Sequence, residues 1–552
     1  MTSARESALL CSGRWFRWPC ALLLFLFVLL PGGWFPVGAV LHAEAWREIY
    51  QESGRLVRLA STTAGLVLVV LSLSLPLGVS VGACLSRLRS PLHFWAIRLL
   101  WIAAFTPLVL YVGGWQACFG PHGFWPMSWS MRGPWGAAVI HGVAAIPWVA
   151  AVVGSALRFV DPRLENQALL EWSSLRVLGR VTLRAAAPAI FFAGCIAVVP
   201  VLTDMSVTDL FAVRTLAEEI YTQFEAGQES PGATLVMLPL CLLMAILLAW
   251  LLGKWWSAEG EPQWGAQPLP ADPSTRLLQI PVFLVLVVYS LPVMGLIRQL
   301  GLESRRGPNW DAWPVMHWSS RVAVEYLFRE YREAAYVLTM TLFHSAVSAA
   351  LAVAVAIPLA WEWRWGGPWT RRLGILLGAW LFVLPGPVLG MELIDLLNRP
   401  GPLGFVGRFY DSPWIVVYAH VVRALPYAFA VVAGSLALLD EAIFESALLE
   451  GVSPFRLLTR GAIPLLLPNL ILAFLISLAV SLAELPTTKC LSPPGYDPLV
   501  LRIFHLLHNG TQNQQAALCL VFLSFLALGA WFFRTVGRRW LGNGGAGLGD
   551  GF

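Results

Sequence analysis

Twelve apolar stretches restrict what this chain can fold into more than any other feature. They fall at about 18–40, 61–83, 95–116, 136–158, 187–207 and 232–253, then at about 276–297, 336–360, 373–394, 413–437, 465–485 and 515–536. Each is near the roughly 20 residues that a helix rising 1.5 Å per residue needs to cross about 30 Å of hydrocarbon. Composition agrees: 57% of the 552 residues are hydrophobic and 12% are charged, whereas a soluble domain carries about 25% charged residues. A soluble enzyme is excluded. The expected fold class is an all-α polytopic membrane protein of about twelve transmembrane helices.

The net charge of +5 comes almost wholly from arginine, because Lys254 and Lys489 are the only lysines. No basic run interleaved with aromatics points to nucleic acid. Placing the N-terminus inside puts Arg87, Arg89, Arg364, Arg371, Arg372, Arg534, Arg538 and Arg539 on the cytoplasmic side, as the positive-inside rule asks. The external segment 298–335 then holds six arginines, which a long loop tolerates. The first stretch is expected to be a retained anchor, since it is longer than the apolar region of a signal peptide. The eight scattered cysteines include no CxxC pair and read as small apolar residues.

The chain repeats itself. An offset of 279 aligns His141 with His420, Pro147 with Pro426, Asp161 with Asp440 and the sequence Ala168–Glu171 with Ala447–Glu450. One deletion later, an offset of 280 puts Arg180 on Arg460 and Asp204 on Glu484. The expected organisation is a six-span half over 1–253, a Pro- and Gly-containing cytoplasmic linker over 254–275, a second six-span half over 276–540 and a glycine-rich tail over 541–552. An even number of spans returns each half to its starting side, so the halves form parallel repeats with a pathway near the midplane, an arrangement of transporters more than of membrane enzymes.

Between the fourth and fifth spans of the second half runs Asp440-Glu-Ala-Ile-Phe-Glu445-Ser446-Ala447-Leu-Leu-Glu-Gly451-Val-Ser453-Pro454, reaching Ile463-Pro464. It reads as a short helix stopped by Gly451 in the left-handed region, then a second helix capped by Ser453 with Pro454 at its first position. Pro464 is expected to begin the next span. This segment resembles the E-(A/S)-A-x3-G-x11-(I/L)-P signature of permease subunits of binding-protein-dependent ABC transporters, through Glu445, Ser446, Ala447, Gly451, Ile463 and Pro464. The resemblance implies a type I importer permease whose loop docks on a separate cytoplasmic ATPase, expected in two copies, while an extracytoplasmic binding protein delivers the solute. The first half carries a worn copy, with Asn166 for the acid, Ala168 and Glu171 kept, Trp172 for the glycine and Arg184 for the proline. Trp172 cannot easily take a positive φ, so that turn must differ.

No GxxxxGK(S/T) phosphate loop surrounds either lysine. The chain is therefore read as a transport component and not an enzyme, with no cofactor of its own and ATP-Mg on the partner. The segment Glu484-Leu-Pro-Thr-Thr-Lys489-Cys-Leu-Ser-Pro493-Pro494-Gly495 resembles that of ferric-iron-type permeases, a branch near the thiamine permeases, and fused twelve-span chains fit that branch. Ferric iron is the substrate this implies.

Asp204 and Glu484 stand near the outer ends of equivalent fifth spans, as pathway or gate residues or as carboxylates capping the span and facing headgroups or water. His505 and His508 have metal-compatible i, i+3 spacing without convergent ligands, so no metal site is expected. His141 and His420 are expected to hydrogen-bond between helices. Trp125, Trp129, Trp135, Trp310, Trp313 and Trp318 read as interfacial anchors. The expected localisation is the bacterial inner membrane. The rival readings are an ion- or proton-coupled secondary transporter and an uncoupled membrane scaffold.

Overall fold

The computed structural model describes residues 14–87, 92–120, 123–125, 132–228, 230–256, 277, 279–305, 315–398 and 404–541. Nearly all of the expected linker 254–275 and the tail beyond 541 lie outside them. The principal helices of the first repeat are α1 (Arg17–Leu41), α2 (Ser53–Arg87), α3 (His93–Phe105), α4 (Leu108–Phe119), α5 (Pro134–Leu157), α6 (Pro162–Leu169), α7 (Ala187–Thr203), α8 (Ser206–Leu210), α9 (Leu216–Glu225) and α10 (Pro231–Trp256). Those of the second are α11 (Gln279–Leu300), α12 (Ser320–Trp365), α13 (Pro368–Val383), α14 (Gly386–Leu397), α15 (Trp414–Ala437), α16 (Glu441–Leu449), α17 (Ile463–Ala483), α18 (Pro486–Leu491), α19 (Leu499–Asn509) and α20 (Gln512–Leu541). Each helix has its counterpart ten places later. A short hairpin, β1 (Leu302–Arg305) against β2 (Val315–Trp318), pairs Leu302 with Trp318 within the expected external segment, and α12 already begins at Ser320.

Among the described residues eight helices are long and apolar enough to cross a membrane, or eleven when each of three bent pairs counts as one span. The expected all-α polytopic membrane fold is what the structure shows, with eight to eleven such spans among the described residues where about twelve were expected. The stretches 95–116 and 373–394 are broken, α3 turning into α4 by 113° and α13 into α14 by 99°. Both breaks have the same cause. Thr106 and Leu384 precede Pro107 and Pro385 and sit in extended conformation with ψ of 124° and 123°, because the ring of a following proline excludes the helical region. The third bend, 72°, comes at Ala186 before Pro188. Its second-half counterpart runs without such a bend over Pro454–Ala483, through a π-helical turn over Leu457–Ala462, and α17 begins at Ile463 with Pro464 in its first turn, as expected.

The compact units are not the sequence halves. One comprises 1–57, 219–257 and 338–498, and the other comprises 58–218, 258–337 and 499–552. Thus α1 and α10 pack with α13–α18, while α11, α19 and α20 pack with α2–α8. Proline chemistry accounts for much of this exchange. In the π-helical register of Phe25–Leu29 the donor for the Leu26 carbonyl would be Pro31, which has no N–H. The Tyr418 hydroxyl of α15 donates to that carbonyl instead. The Gly32 carbonyl would be served by Pro36, and the Trp380 indole of α13 donates to it at 2.9 Å. In the other unit Pro147 leaves the Val143 carbonyl of α5 open, and the Tyr289 hydroxyl of α11 donates there at 2.7 Å. Close approach helps too: a Cβ at Gly114 of α4 would stand 2.6 Å from Pro292 of α11.

Tyr289→Phe and Tyr418→Phe should each cost about 1–3 kcal/mol, because a buried carbonyl loses its donor. Thermal unfolding in detergent tests this, with Tyr336→Phe, at an exposed site, expected to change nothing.

Candidate functional sites: two loops and a buried polar cluster

The second-half loop folds as its residues dictate. Asp440 caps α16 by accepting from the Ala442 N–H at 3.0 Å. At the other end the Val452 N–H donates to the Ala447 carbonyl at 3.1 Å and the Gly451 N–H to that of Leu448 at 2.9 Å, with Gly451 at φ +80°. These two bonds and the positive φ make a Schellman stop, which favours glycine. Ser453 then accepts from the Arg456 N–H at 3.4 Å with Pro454 first in the following turn. Ser446, Gly451 and Pro464 are exposed and Glu445, Ala447 and Ile463 half-buried.

The loop is tied to the end of α12. Phe444 is buried against Trp361 and Trp365, with ring centroids 5.9 and 5.2 Å away, and Arg364 meets Glu441 at 2.8 Å. With Phe444 turned inward, α16 presents Ile443 and, 90% exposed, Leu449 outward.

The first-half loop keeps this plan with other chemistry. Asp161 caps α6 by accepting from the Arg163 N–H at 2.8 Å. Trp172 is half-buried, its N–H donates to the Ala168 carbonyl at 2.9 Å, and Arg180 lies over its ring at 5.5 Å. It does not take a positive φ, so the turn differs from the one at Gly451, as expected. Glu165 replaces Phe444 and is buried against Arg87 at the end of α2, 3.0 Å away, and also accepts from the Thr182 hydroxyl at 2.6 Å. Asn166 and Glu171 are exposed and Ala168 is half-buried. Leu164 and Leu170, the counterparts of Ile443 and Leu449, are again exposed, Leu170 at 86%.

Asp204 and Glu484 occupy matching places and are both buried, so neither faces headgroups or water. Each caps the short helix that follows. Asp204 accepts from the Ser206 hydroxyl at 2.7 Å and the Val207 N–H at 3.3 Å, and Glu484 accepts from the Thr487 hydroxyl at 2.6 Å and its N–H at 3.3 Å. Negative charge at a helix N-terminus is favourable. Glu484 has in addition an ion pair that the sequence reading missed. Arg423 of α15 reaches it through Nε at 3.2 Å and donates through Nη1 to the Leu384 carbonyl at the α13–α14 break, 2.7 Å away. An arginine inside the apolar stretch 413–437 was the available signal. The first repeat has Ala144 at that position.

His420 bonds Ser481 and Thr488, each at 2.8 Å, as expected of an inter-helix donor and acceptor. His141 does not. Both of its ring nitrogens are buried without a hydrogen-bond partner, and the counterpart of Ser481 is Val201, which offers none. His508 turns to Asp209 at 3.4 Å. The Pro493-Pro494-Gly495 segment is a turn closed by the Tyr496 N–H on the Pro493 carbonyl at 3.0 Å, with Gly495 at φ +84°. Burial pushes the Tyr496 phenol up to about 12, so it stays protonated beside His344 Nδ1 at 3.1 Å. Trp125, Trp135 and Trp318 are exposed, consistent with anchoring, and Trp129, Trp310 and Trp313 lie outside the described residues.

Glu165→Ala should destabilise the protein by about 3–5 kcal/mol, since it strands a buried arginine, whereas Arg87→Met with Glu165→Leu should recover most of that loss. Unfolding midpoints of the two variants, compared with wild type, check this.

Comparison with known proteins places this geometry. Residues 347–542 match the family described as binding-protein-dependent transport system inner membrane component. This stretch holds most of the second repeat with its loop; the first repeat is connected to it through the internal repeat. The putative 2-aminoethylphosphonate transport system permease protein PhnV of Salmonella choleraesuis (strain SC-B67) is 31% identical over 180 residues, 31% of this chain and 66% of the relative. The spermidine/putrescine transport system permease protein PotC of Escherichia coli (strain K12) is 24% identical over 237 residues, 42% of this chain and 83% of the relative. The chain thus spans just under two thirds of the length of the first of these relatives. Both relatives are named for substrates other than ferric iron, and the expected ferric-iron branch is not the one they represent.

Proposed function

We propose that this multi-pass inner-membrane protein is the permease component of an ATP-driven importer, fed by an external binding protein and driven by a separate ATPase, expected in two copies. The observation that carries the reading is the second loop: a helix closed by the Gly451 stop, clamped to α12 through Phe444, and turning Ser446 and Leu449 outward on a rigid base. Such a knob transmits a push from a partner because its own attachment does not yield. ATP would bind the partner, whose differential affinity for two permease states supplies the drive. In this reading Glu445, Ser446, Ala447, Gly451, Ile463 and Pro464 form the coupling loop, and Asn166, Ala168, Glu171 and Trp172 its degenerate copy. Asp204 and Glu484 serve as gate residues by holding α8 and α18 at the ends of the fifth spans.

Affinity purification from native membranes tests the reading. Wild type should bring down an ATPase that Gly451→Asp loses; absence of any ATPase from wild type would favour an ion- or proton-coupled carrier or an uncoupled scaffold. Coupling should also be asymmetric. Substituting Glu445 or Gly451 should separate ATP hydrolysis from transport more severely than substituting Asn166 or Trp172, and equal effects would overturn the asymmetry.

The solute is carried here as a small molecule selected by the binding protein. Ferric iron follows from the Pro493-Pro494-Gly495 resemblance, while the relatives' names support an amine-bearing solute. Uptake by reconstituted vesicles, with ferric iron, 2-aminoethylphosphonate and spermidine each offered with its own binding protein, separates the two: iron uptake alone would support the first, uptake of an amine the second.

A further inference from the structure

The start of α13 gathers positive charge at the end of α12 to which the loop helix α16 is tied. Arg371 donates through Nη2 to the Arg364 carbonyl at 2.8 Å, and its charged neighbours are Arg364 itself and Glu441. Glu441 already meets Arg364 at 2.8 Å, and Glu362 meets Arg17 at 3.9 Å. The first turn of α13 holds no acidic residue. Arg372 is exposed, its guanidinium lies over the Trp369 ring at 5.8 Å, and among the described residues no carboxylate meets it. Arg364, Arg371 and Arg372 thus share one carboxylate.

The face that carries Arg372 runs on as apolar surface. Trp369, Arg372, Leu373 and Leu376 have the i, i+3, i+4, i+7 spacing of one helix face, and Trp369, Leu373 and Leu376 are 80%, 52% and 39% exposed. The stripe is about 10 Å long at 1.5 Å per residue. An exposed indole at the end of an apolar stretch sits at the headgroup level of a bilayer, so the guanidinium on its ring stands where lipid phosphates lie. Counted back from the matched prolines Pro385 and Pro107, the first repeat has His93 and Phe94 in place of Arg371 and Arg372. The charged face belongs to the second repeat alone.

We propose that this face is a site for an anionic phospholipid of the inner leaflet. Arg372 and Arg371 take its phosphate, and the first part of an acyl chain lies along Trp369, Leu373 and Leu376. A headgroup of net negative charge suits a cluster of three arginines and one carboxylate, whereas a zwitterionic headgroup brings a further cation into it. The bound phosphate offsets the repulsion between Arg371 and Arg364, which leaves Arg364 to hold Glu441. The lipid thereby steadies the attachment of α16 to α12.

The test needs no ATPase and is independent of the transport reading. Full-length chain is reconstituted with equal amounts of phosphatidylglycerol, phosphatidylethanolamine and phosphatidylcholine, re-extracted through a delipidating wash, and its retained lipid identified by mass spectrometry. Wild type should keep phosphatidylglycerol over the other two. Arg372→Gln should lower that preference about fivefold, the factor carried by one arginine beside anionic lipid. Trp369→Ala should lower retention of the same lipid with no change of charge. Both positions are exposed, so both variants should fold. Arg176→Gln combined with Arg180→Gln, which removes two exposed arginines from the first-repeat loop, should retain lipid as wild type does. In nanodiscs, amide hydrogen exchange across α16 should be slower in phosphatidylglycerol than in phosphatidylcholine, and Arg372→Gln should remove the difference. No headgroup preference in wild type, an unchanged preference in Arg372→Gln, or an equal loss in the Arg176 and Arg180 double variant would each overturn the site. Retention unmoved by Trp369→Ala would overturn the acyl-chain seat, and equal exchange in the two lipids would overturn the link to α16.

Discussion

A backbone carbonyl in lipid has no water to turn to, and the prolines in these spans release several of them. Four have an identifiable answer. Pro31, Pro36, Pro107 and Pro147 remove the regular helical donor of the carbonyls of Leu26, Gly32, Ala103 and Val143, and Tyr418, Trp380, Tyr111 and Tyr289 donate there, at Ala103 beside the Thr106 N–H. All four donors come from a different helix. The need to satisfy a main-chain oxygen thus becomes an inter-helix contact, and it fixes α1 on α13 and α15, and α11 on α5. Where the chain breaks outright, at Leu384, the freed carbonyl receives Arg423, and the same arginine holds Glu484. The polar cluster at the end of the fifth span is in this sense a consequence of Pro385.

The two repeats show which parts of the plan tolerate change. N-caps survive as Asp161 and Asp440, broken spans as Pro107 and Pro385, and exposed leucines as Leu170 and Leu449. The attachment of each loop to its long helix survives as a function and not as a chemistry: Arg87 with Glu165 on one side, Trp361 and Trp365 with Phe444 on the other. An ion pair and an aromatic cage fill similar space, but they respond differently to loss of a partner. Breaking the first strands a buried charge, whereas breaking the second leaves a cavity. The first repeat also has Ala144 where the second has Arg423, and leaves His141 without the bonds of His420.

Much of the second loop was legible in its residues because each acts locally. Asp440, Gly451, Ser453 and Pro454 fix the backbone within a few residues of themselves. Pro464 acts locally too, standing in the first turn of α17 directly after the π-helical turn over Leu457–Ala462. Thr106-Pro107 and Leu384-Pro385 carried a readable break signal, obscured by the length of the apolar stretches around them. His141 misled because symmetry with His420 extends to the histidine and not to its partner, Val201 standing where the other half has Ser481.

The sequence by itself determined that the chain is a membrane protein of helical spans, that it is a repeat, and where its loop helices start and stop, since hydropathy, offset and capping are properties of neighbouring residues. Only the tertiary structure decided which helices make each compact unit, that Phe444 and Glu165 are equivalent anchors, and that Arg423 meets Glu484. Those outcomes depend on which side chain comes within about 3 Å of an unsatisfied buried group. No spacing along the chain encodes that distance between helices.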